Sequence, residues 1–115
     1  MNRGDVALVR FPHPSGLRGN KRPAIIVQSD LYAGKINTLI VAEVTSNLTM
    51  ANDPSCLFID ITTAEGQTTG VVRDCVVSCL VLVTVYTDTI VQTLGTLSPA
   101  MQQKLNDCLK AAVGL

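Results

Sequence analysis

Thr38-Leu39-Ile40-Val41-Ala42-Glu43-Val44 runs directly into Thr45-Ser46-Asn47, and this junction sets the fold class. A short aliphatic, partly β-branched run, too brief for a buried helix, reads as a buried strand. The polar triplet ends it and starts a loop that continues through Asn52, Asp53 and Pro54. Upstream, Asp5–Phe11 (DVALVRF) alternates as a strand, and Pro23 leads into another at Ala24–Gln28 (AIIVQ). Between them Pro12–Arg22 (PHPSGLRGNKR) is expected to be an irregular loop, rich in Pro, Gly and basic residues. A turn follows over Leu31–Asn37, marked by Gly34 and Asn37. Downstream, Cys56–Ile61 alternates into a strand, and Thr62–Gly70 is expected as a second loop. Val76–Tyr86 (VVSCLVLVTVY) is nearly continuously apolar, so it is a core strand, an interface strand, or both.

A helix with start and stop signals lies near the C-terminus. Ser98 suits the N-cap, Pro99 the first helical position and Gly114 the C-cap. Met101, Leu105, Cys108, Leu109, Ala112 and Val113 recur at helical spacing on one face. A shorter helical turn is expected around Asp88–Gln92. No repeat, linker or low-complexity segment breaks the chain. The expectation is one domain over residues 1–115, mainly β with a C-terminal α-helix, built as a small twisted sheet or open barrel.

Composition narrows the function. With 47% apolar and 16% charged residues, the chain buries a core rather than remaining disordered. Trp is absent, and two Phe and two Tyr give little surface for reading bases by stacking. The net charge is zero, but it is unevenly placed. Residues 1–35 hold Arg3, Arg10, Arg18, Lys21, Arg22 and Lys35 against Asp5 and Asp30, a local +4 balanced by −4 in the remainder. That asymmetry suggests one basic face suited to a polyanion. The start MNRGDVALVR lacks the apolar core of a signal peptide, and no apolar run approaches the roughly 20 residues that span a bilayer. A cytoplasmic protein with no membrane partner is therefore expected. Cys56, Cys75, Cys79 and Cys108 are then reduced thiols, and buried thiols acting as small hydrophobes. A single His and no CxxC pair argue against a metal site.

The chemistry must come from a short inventory. No GxSxG, P-loop, HExxH or Rossmann pattern occurs, and a two-histidine ribonuclease mechanism is excluded because His13 is the sole histidine. In the basic loop, the cationic heads of Arg18, Lys21 and Arg22 and the backbone N–H groups between them can converge on a phosphate. Pro23 restricts the backbone of Arg22 to extended conformations, which suits an anchored guanidinium offering its fork bidentately. The competing reading is a solvated basic loop. Thr45, Ser46 and Asn47 place short polar side chains at a sheet end, where they can face a ligand; alternatively, they cap their own turn. His13, between two prolines, is either an exposed loop residue or a group able to titrate near neutrality.

Taken in order, these stretches carry a resemblance. Arg3-Gly4-Asp5-Val6, the basic loop, Lys21-Arg22-Pro23-Ala24 and Val41-Ala42-Glu43-Val44-Thr45-Ser46 resemble the MazF/PemK-type toxins of bacterial toxin–antitoxin systems. Thr69-Gly70-Val71-Val72-Arg73, Leu94-Gly95-Thr96-Leu97-Ser98 and the terminal helix extend the resemblance over essentially the whole chain. It implies a small SH3-like barrel, a homodimer, and sequence-specific, metal-independent cleavage of single-stranded mRNA without a cofactor. It also implies inhibition by a cognate acidic MazE-like antitoxin. Arg22 and Thr45 fall on the family's catalytic arginine and threonine. Arg18, Asn20, Lys21, Ser46 and Asn47 are the expected RNA-binding residues, with His13 as an acid/base candidate.

Two departures bear on the proton transfers. Many members carry Glu-Gln in the first loop, where this chain has Leu17-Arg18-Gly19-Asn20. Some carry an Arg-Cys-Asp triplet near the fifth strand. Two registers compete for it: Arg73-Asp74-Cys75, or Ser78-Cys79-Leu80. The alternative function is a non-catalytic toxin of the same fold acting on a protein such as DNA gyrase, as the related CcdB proteins do. A structural protein using the 76–86 strand is a third possibility, which leaves the basic loop without a role.

Overall fold

The computed structural model describes residues 1–12 and 18–115, with Pro12 and Arg18 described by backbone alone. The strands are β1 (Asp5–Pro12), β2 (Arg18–Ile26), β3 (Thr38–Thr45), β4 (Cys56–Ile59), β5 (Cys75–Tyr86) and β6 (Ile90–Thr96). They form one antiparallel sheet in the order β4-β5-β3-β2-β1-β6. Two helices accompany it, α1 (Ala64–Thr68) and α2 (Pro99–Val113).

Side chains alternate across a strand, so one chain can feed two cores. Val6, Ile25, Ala42 and Val77 pack with Met101, Leu105 and Cys108 of α2. Their neighbours Ala7, Val9, Ala24, Ile26 and Val41 enter a second cluster with Leu39 and Val85. The central stretches Val6–Ala7, Ala24–Ile26 and Val41–Ala42 are thus buried on both faces. The helix covers one face, and the sheet curls over the other as an open small barrel.

The 76–86 stretch has a divided role. β4 pairs with β5 only over Cys75–Ser78. The ladder to β3 jumps from Glu43↔Ser78 to Ala42↔Leu82, which loops 79–81 out of register. Leu80, Val81 and Leu82 are 56%, 42% and 39% exposed, whereas Val76, Val77 and Cys79 are buried. The first half is core strand, and the second half is an apolar edge.

Several expectations need correction. The basic stretch is not loop throughout, because β2 begins at Arg18 and pairs Lys21 with Arg10 and Arg22 with Val9. Pro23 is tolerated inside β2 because the ladder to β3 starts only at Ala24, so no partner there requires its missing N–H. β2 ends at Ile26 rather than Gln28, since Val27 and Gln28 both donate to the carbonyl of Ile40, a local irregularity. β4 likewise stops at Ile59. The 62–70 segment contains α1, capped by Thr63, whose hydroxyl accepts from Gly66 N at 2.9 Å. The helical turn near Asp88 covers only Thr87–Thr89, and β-branched Ile90, Val91 and Thr93 then form β6 against β1. In α2 the Ser98 hydroxyl accepts from Met101 N at 3.2 Å and Gly114 takes φ +77°, as its cap position demands. Val113 is 57% exposed, off the core face. All four cysteines are free and buried. Among the described residues no helix is long and apolar enough to cross a membrane.

Candidate active site

Where β2, the end of β3 and the segment before β5 meet, a cleft of about 450 Å³ opens. Its polar lining is Arg22, Glu43, Thr45, Ser46 and Arg73, over a floor that includes Leu8, Pro23 and Leu94. A second hollow of about 230 Å³ adjoins it and also holds Glu43 and Thr45, together with Asn47 and Ser78. Glu43 and Thr45 therefore stand on the wall common to both.

Arg22 reaches the cleft from a paired strand position, so its backbone is fixed while its side chain stays 56% exposed. Its Nη1 lies 3.4 Å from Glu43 Oε1, a long, single-point contact. Thr45 closes β3, and its Oγ1 accepts from Asn47 N at 3.1 Å. With the oxygen so engaged, the hydroxyl proton remains to be donated outward. Asn47 is committed to its own turn: its Oδ1 accepts from Thr49 N at 3.0 Å and Thr49 Oγ1 at 2.6 Å.

Arg73 is held in place by close backbone approach. A Cβ on Gly70, at φ +77°, would lie 2.1 Å from the Leu94 carbonyl oxygen, and one on Gly95 would lie 2.2 Å from that of Thr68. Only glycine lets the 68–70 backbone lie against β6 so closely. Beyond Arg73, Asp74 Oδ1 accepts from Ile61 N at 2.9 Å and anchors the segment's far end. Of the two competing registers, Arg73 is the one that lines the cleft; Ser78 lines only the second hollow and Leu80 is exposed. Cys75 is also in the cleft wall, its thiol pushed up to about 11 by burial and then by the neighbouring Asp74 carboxylate.

The fold therefore brings Arg22, Thr45 and Ser46 together and sets Asn47 in the adjoining hollow. Asn20 and Lys21 are exposed on β2 and do not line the cleft. His13 and the Arg18 side chain lie outside the described residues. Sequence reasoning passed over Glu43, although a lone charge inside an otherwise apolar strand was a usable signal. Among the described residues no group of three His, Cys, Asp or Glu is placed to hold a metal ion.

A family model described as PemK-like, MazF-like toxin of type II toxin–antitoxin system matches residues 2–113. The chain belongs to that family. This toxin is 27% identical over 117 residues to Endoribonuclease MazF6 of Mycobacterium tuberculosis and to Endoribonuclease MazF2 of Mycobacterium bovis, covering 100% of the chain and 98% of each relative. Its fold is that of a solved mycobacterial endoribonuclease in complex with its cognate antitoxin, at TM-score 0.80 and 18% identity, covering 100% of this chain and 96% of that one. MazF from Deinococcus radiodurans matches with TM-score 0.74 and 17% identity, covering 100% and 97%. These likenesses agree with the mainly β barrel and terminal helix expected from the sequence.

Proposed function

We propose that this toxin is a sequence-specific endoribonuclease that cuts single-stranded mRNA without a metal. The observation that carries the reading is the placement of the Arg22 guanidinium and the Thr45 hydroxyl in one open cleft at the sheet end. The ribose 2′-oxygen attacks the adjacent phosphorus and the bond to the 5′-oxygen breaks, leaving a 2′,3′-cyclic phosphate and a 5′-OH end. Negative charge grows on the non-bridging oxygens, and fixed donors are worth most there. Arg22 supplies charge and a planar pair of donors. Thr45 supplies the outward hydroxyl proton, and Arg73 and Ser46 hold neighbouring phosphates or bases. Exposed Asn20 and Lys21 extend the polar surface along β2, Arg18 is kept as an RNA-binding residue on the family resemblance, and Asn47 shapes the turn beside Thr45.

The names of the relatives support the activity, and the solved complexes of an endoribonuclease with its cognate antitoxin and of MazE with MazF support a cognate MazE-like partner; its acidic character and the cytoplasmic location are part of the proposal. Exposed Leu80, Val81 and Leu82 on an unpaired strand edge, with Ile40 at 40% exposure, support a homodimer that covers them. A purely protein-binding toxin has no need to gather Arg22, Arg73 and Thr45 around a cavity.

The test is cleavage of an RNA oligonucleotide pool in excess EDTA, with the ends of the products analysed. Cyclic phosphate and 5′-OH ends are expected, with no cleavage at a site carrying a 2′-deoxy sugar. Intact RNA, or cutting of the 2′-deoxy site, would overturn the reading.

A further inference from the structure

The reaction proposed above needs a group that takes the proton from the 2′-hydroxyl, and the cleft's lining limits the choice. A guanidinium keeps its proton throughout the physiological range and cannot act as a base, which removes Arg22 and Arg73. Thr45 and Ser46 are hydroxyls with no neighbouring base in the lining other than Glu43. The Cys75 thiol, pushed up to about 11, keeps its proton near neutrality. Among the described residues, the remaining titratable side chain of the lining is the Glu43 carboxylate.

Its setting is unusual for a structural acid. Its β3 neighbours Val41, Ala42 and Val44 are apolar and buried, and Glu43 is only half-buried, with 29% of its side chain exposed on the wall between the two hollows. Its register partners are Ala24 on β2 and Ser78 on β5, neither of which carries a charge. Among the described residues, the charged or titratable groups that share its hollows are Arg22 from β2, Arg73 from the segment before β5, Cys75 at the start of β5, and Cys56 from β4. Its contact with Arg22 involves Oε1 alone at 3.4 Å, and among the described residues Oε2 has no hydrogen-bond partner. A carboxylate at the centre of a phosphate-binding cleft repels the substrate, so it weakens binding unless it takes part in the chemistry.

We infer that Glu43 is the general base of this toxin, taking the 2′-hydroxyl proton while Arg22 holds the phosphate. One Glu43 oxygen accepts the proton as the O2′–P bond forms. The P–O5′ bond breaks, and the departing 5′-oxygen takes a proton from water in the open cleft. The protonated Glu43 then returns its proton to solvent. Arg22 links the two roles, since its guanidinium lies 3.4 Å from the carboxylate and lines the same cleft. This inference rests on the endoribonuclease reading and adds a residue that the sequence did not single out.

The decisive variant is Glu43→Gln, which keeps shape and removes the base. In the intact dimeric toxin, kcat for an RNA oligonucleotide is expected to fall by roughly 10² to 10⁴. The acid-side limb of its pH–rate profile should disappear with it. Binding of an uncleavable 2′-deoxy analogue should stay equal or tighten, because a repulsive charge has gone. Glu43→Asp, one methylene shorter, should keep the limb at reduced rate and serves as the variant of choice if Glu43→Gln folds poorly. His13→Gln should leave the limb in place. The inference is overturned if Glu43→Gln cleaves as fast as the parent, or if its limb persists. It also falls if the limb vanishes in His13→Gln, or if Glu43→Gln loses RNA binding instead of turnover, which would make Glu43 a positioning residue for Arg22. A parent protein that cleaves no RNA overturns both this inference and the endoribonuclease reading.

Discussion

Replacing Arg22 with alanine separates chemistry from folding, because the proposed mechanism gives this side chain much of one and its exposure gives it little of the other. The guanidinium is 56% exposed and its contact with Glu43 spans 3.4 Å. Exposed ion pairs of that kind contribute about 0–1 kcal/mol, so Arg22→Ala should shift the melting temperature by under about 5 °C. At a developing oxyanion the same group acts as a fixed donor, and losing one such donor costs about 2.7–4 kcal/mol, or 10²–10³ in rate. Arg22→Lys should recover only part of this, because an ammonium cannot present two coplanar N–H groups. The assay is single-turnover cleavage of a fluorophore-quenched RNA with enzyme in excess, paired with a thermal melt of each variant. Cleavage by Arg22→Ala within about fivefold of the parent would refute the reasoning, since one lost donor should cost 10² or more. A variant that loses activity because it unfolds would refute it too, because the exposed side chain is argued to carry almost none of the fold.

Thr45→Val keeps the shape of the side chain and removes the hydroxyl, so cleavage should fall by roughly 10²-fold while Thr45→Ser retains most of it; equal rates for Val and Ser would dismiss the donor role. Gly95→Ala should cost about 2 kcal/mol or more in a denaturant melt, because its Cβ would sit 2.2 Å from the Thr68 carbonyl oxygen. Loss of RNA binding should accompany it as the Arg73 segment is pushed away. Asp53 and Asp60 are held below their usual 3.8 by hydrogen bonds from Ser55 and Thr62. A depressed carboxylate contributes above its unfolded value and loses that contribution as pH falls through the folded one. Stability should therefore drop on acidification below about pH 4, and the Asp53→Asn/Asp60→Asn double variant should show a flatter acid limb in thermal melts.

The parts of the fold that were legible in the sequence are those where local signals and tertiary demands agree. β3 and α2 show this most clearly: an aliphatic run ending in Thr-Ser-Asn, and a helix bounded by Ser98, Pro99 and Gly114. The errors arose where pairing overrode local chemistry. Residues 18–22 look like loop because glycine, asparagine and basic side chains dominate, yet β1 offers them a partner through Arg10↔Lys21. β6 was missed because Gln92, Thr93 and Gly95 dilute its apolar pattern, and its place is fixed by β1 rather than by its own residues. Arg22, Thr45 and Ser46 were legible because the family resemblance and the polar run both point to them. Glu43 leaves only the weak signal of a lone charge in an apolar run, which strand periodicity treats as a surface residue. Only the sheet geometry shows that its position on β3 opens toward Arg22.

The charge of the chain poses a problem that the hydrogen bonds resolve. A protein of zero net charge should attract a polyanion weakly unless its anions are engaged elsewhere. In this fold many of them are. Asp5 accepts from Asn2 N, Asp30 from Arg3 N, Asp53 from Ser55 N, Asp60 from Thr62 N and Asp74 from Ile61 N. Each of these carboxylates organises a turn or anchors a segment through backbone donors. Among the described residues a single ion pair occurs, Arg22 with Glu43. Among the described residues Arg73 of the cleft and Lys21 of β2 are therefore left without an ion-pair partner, while the acids organise turns and segments elsewhere. The one carboxylate that does enter the cleft is the one placed to do chemistry there.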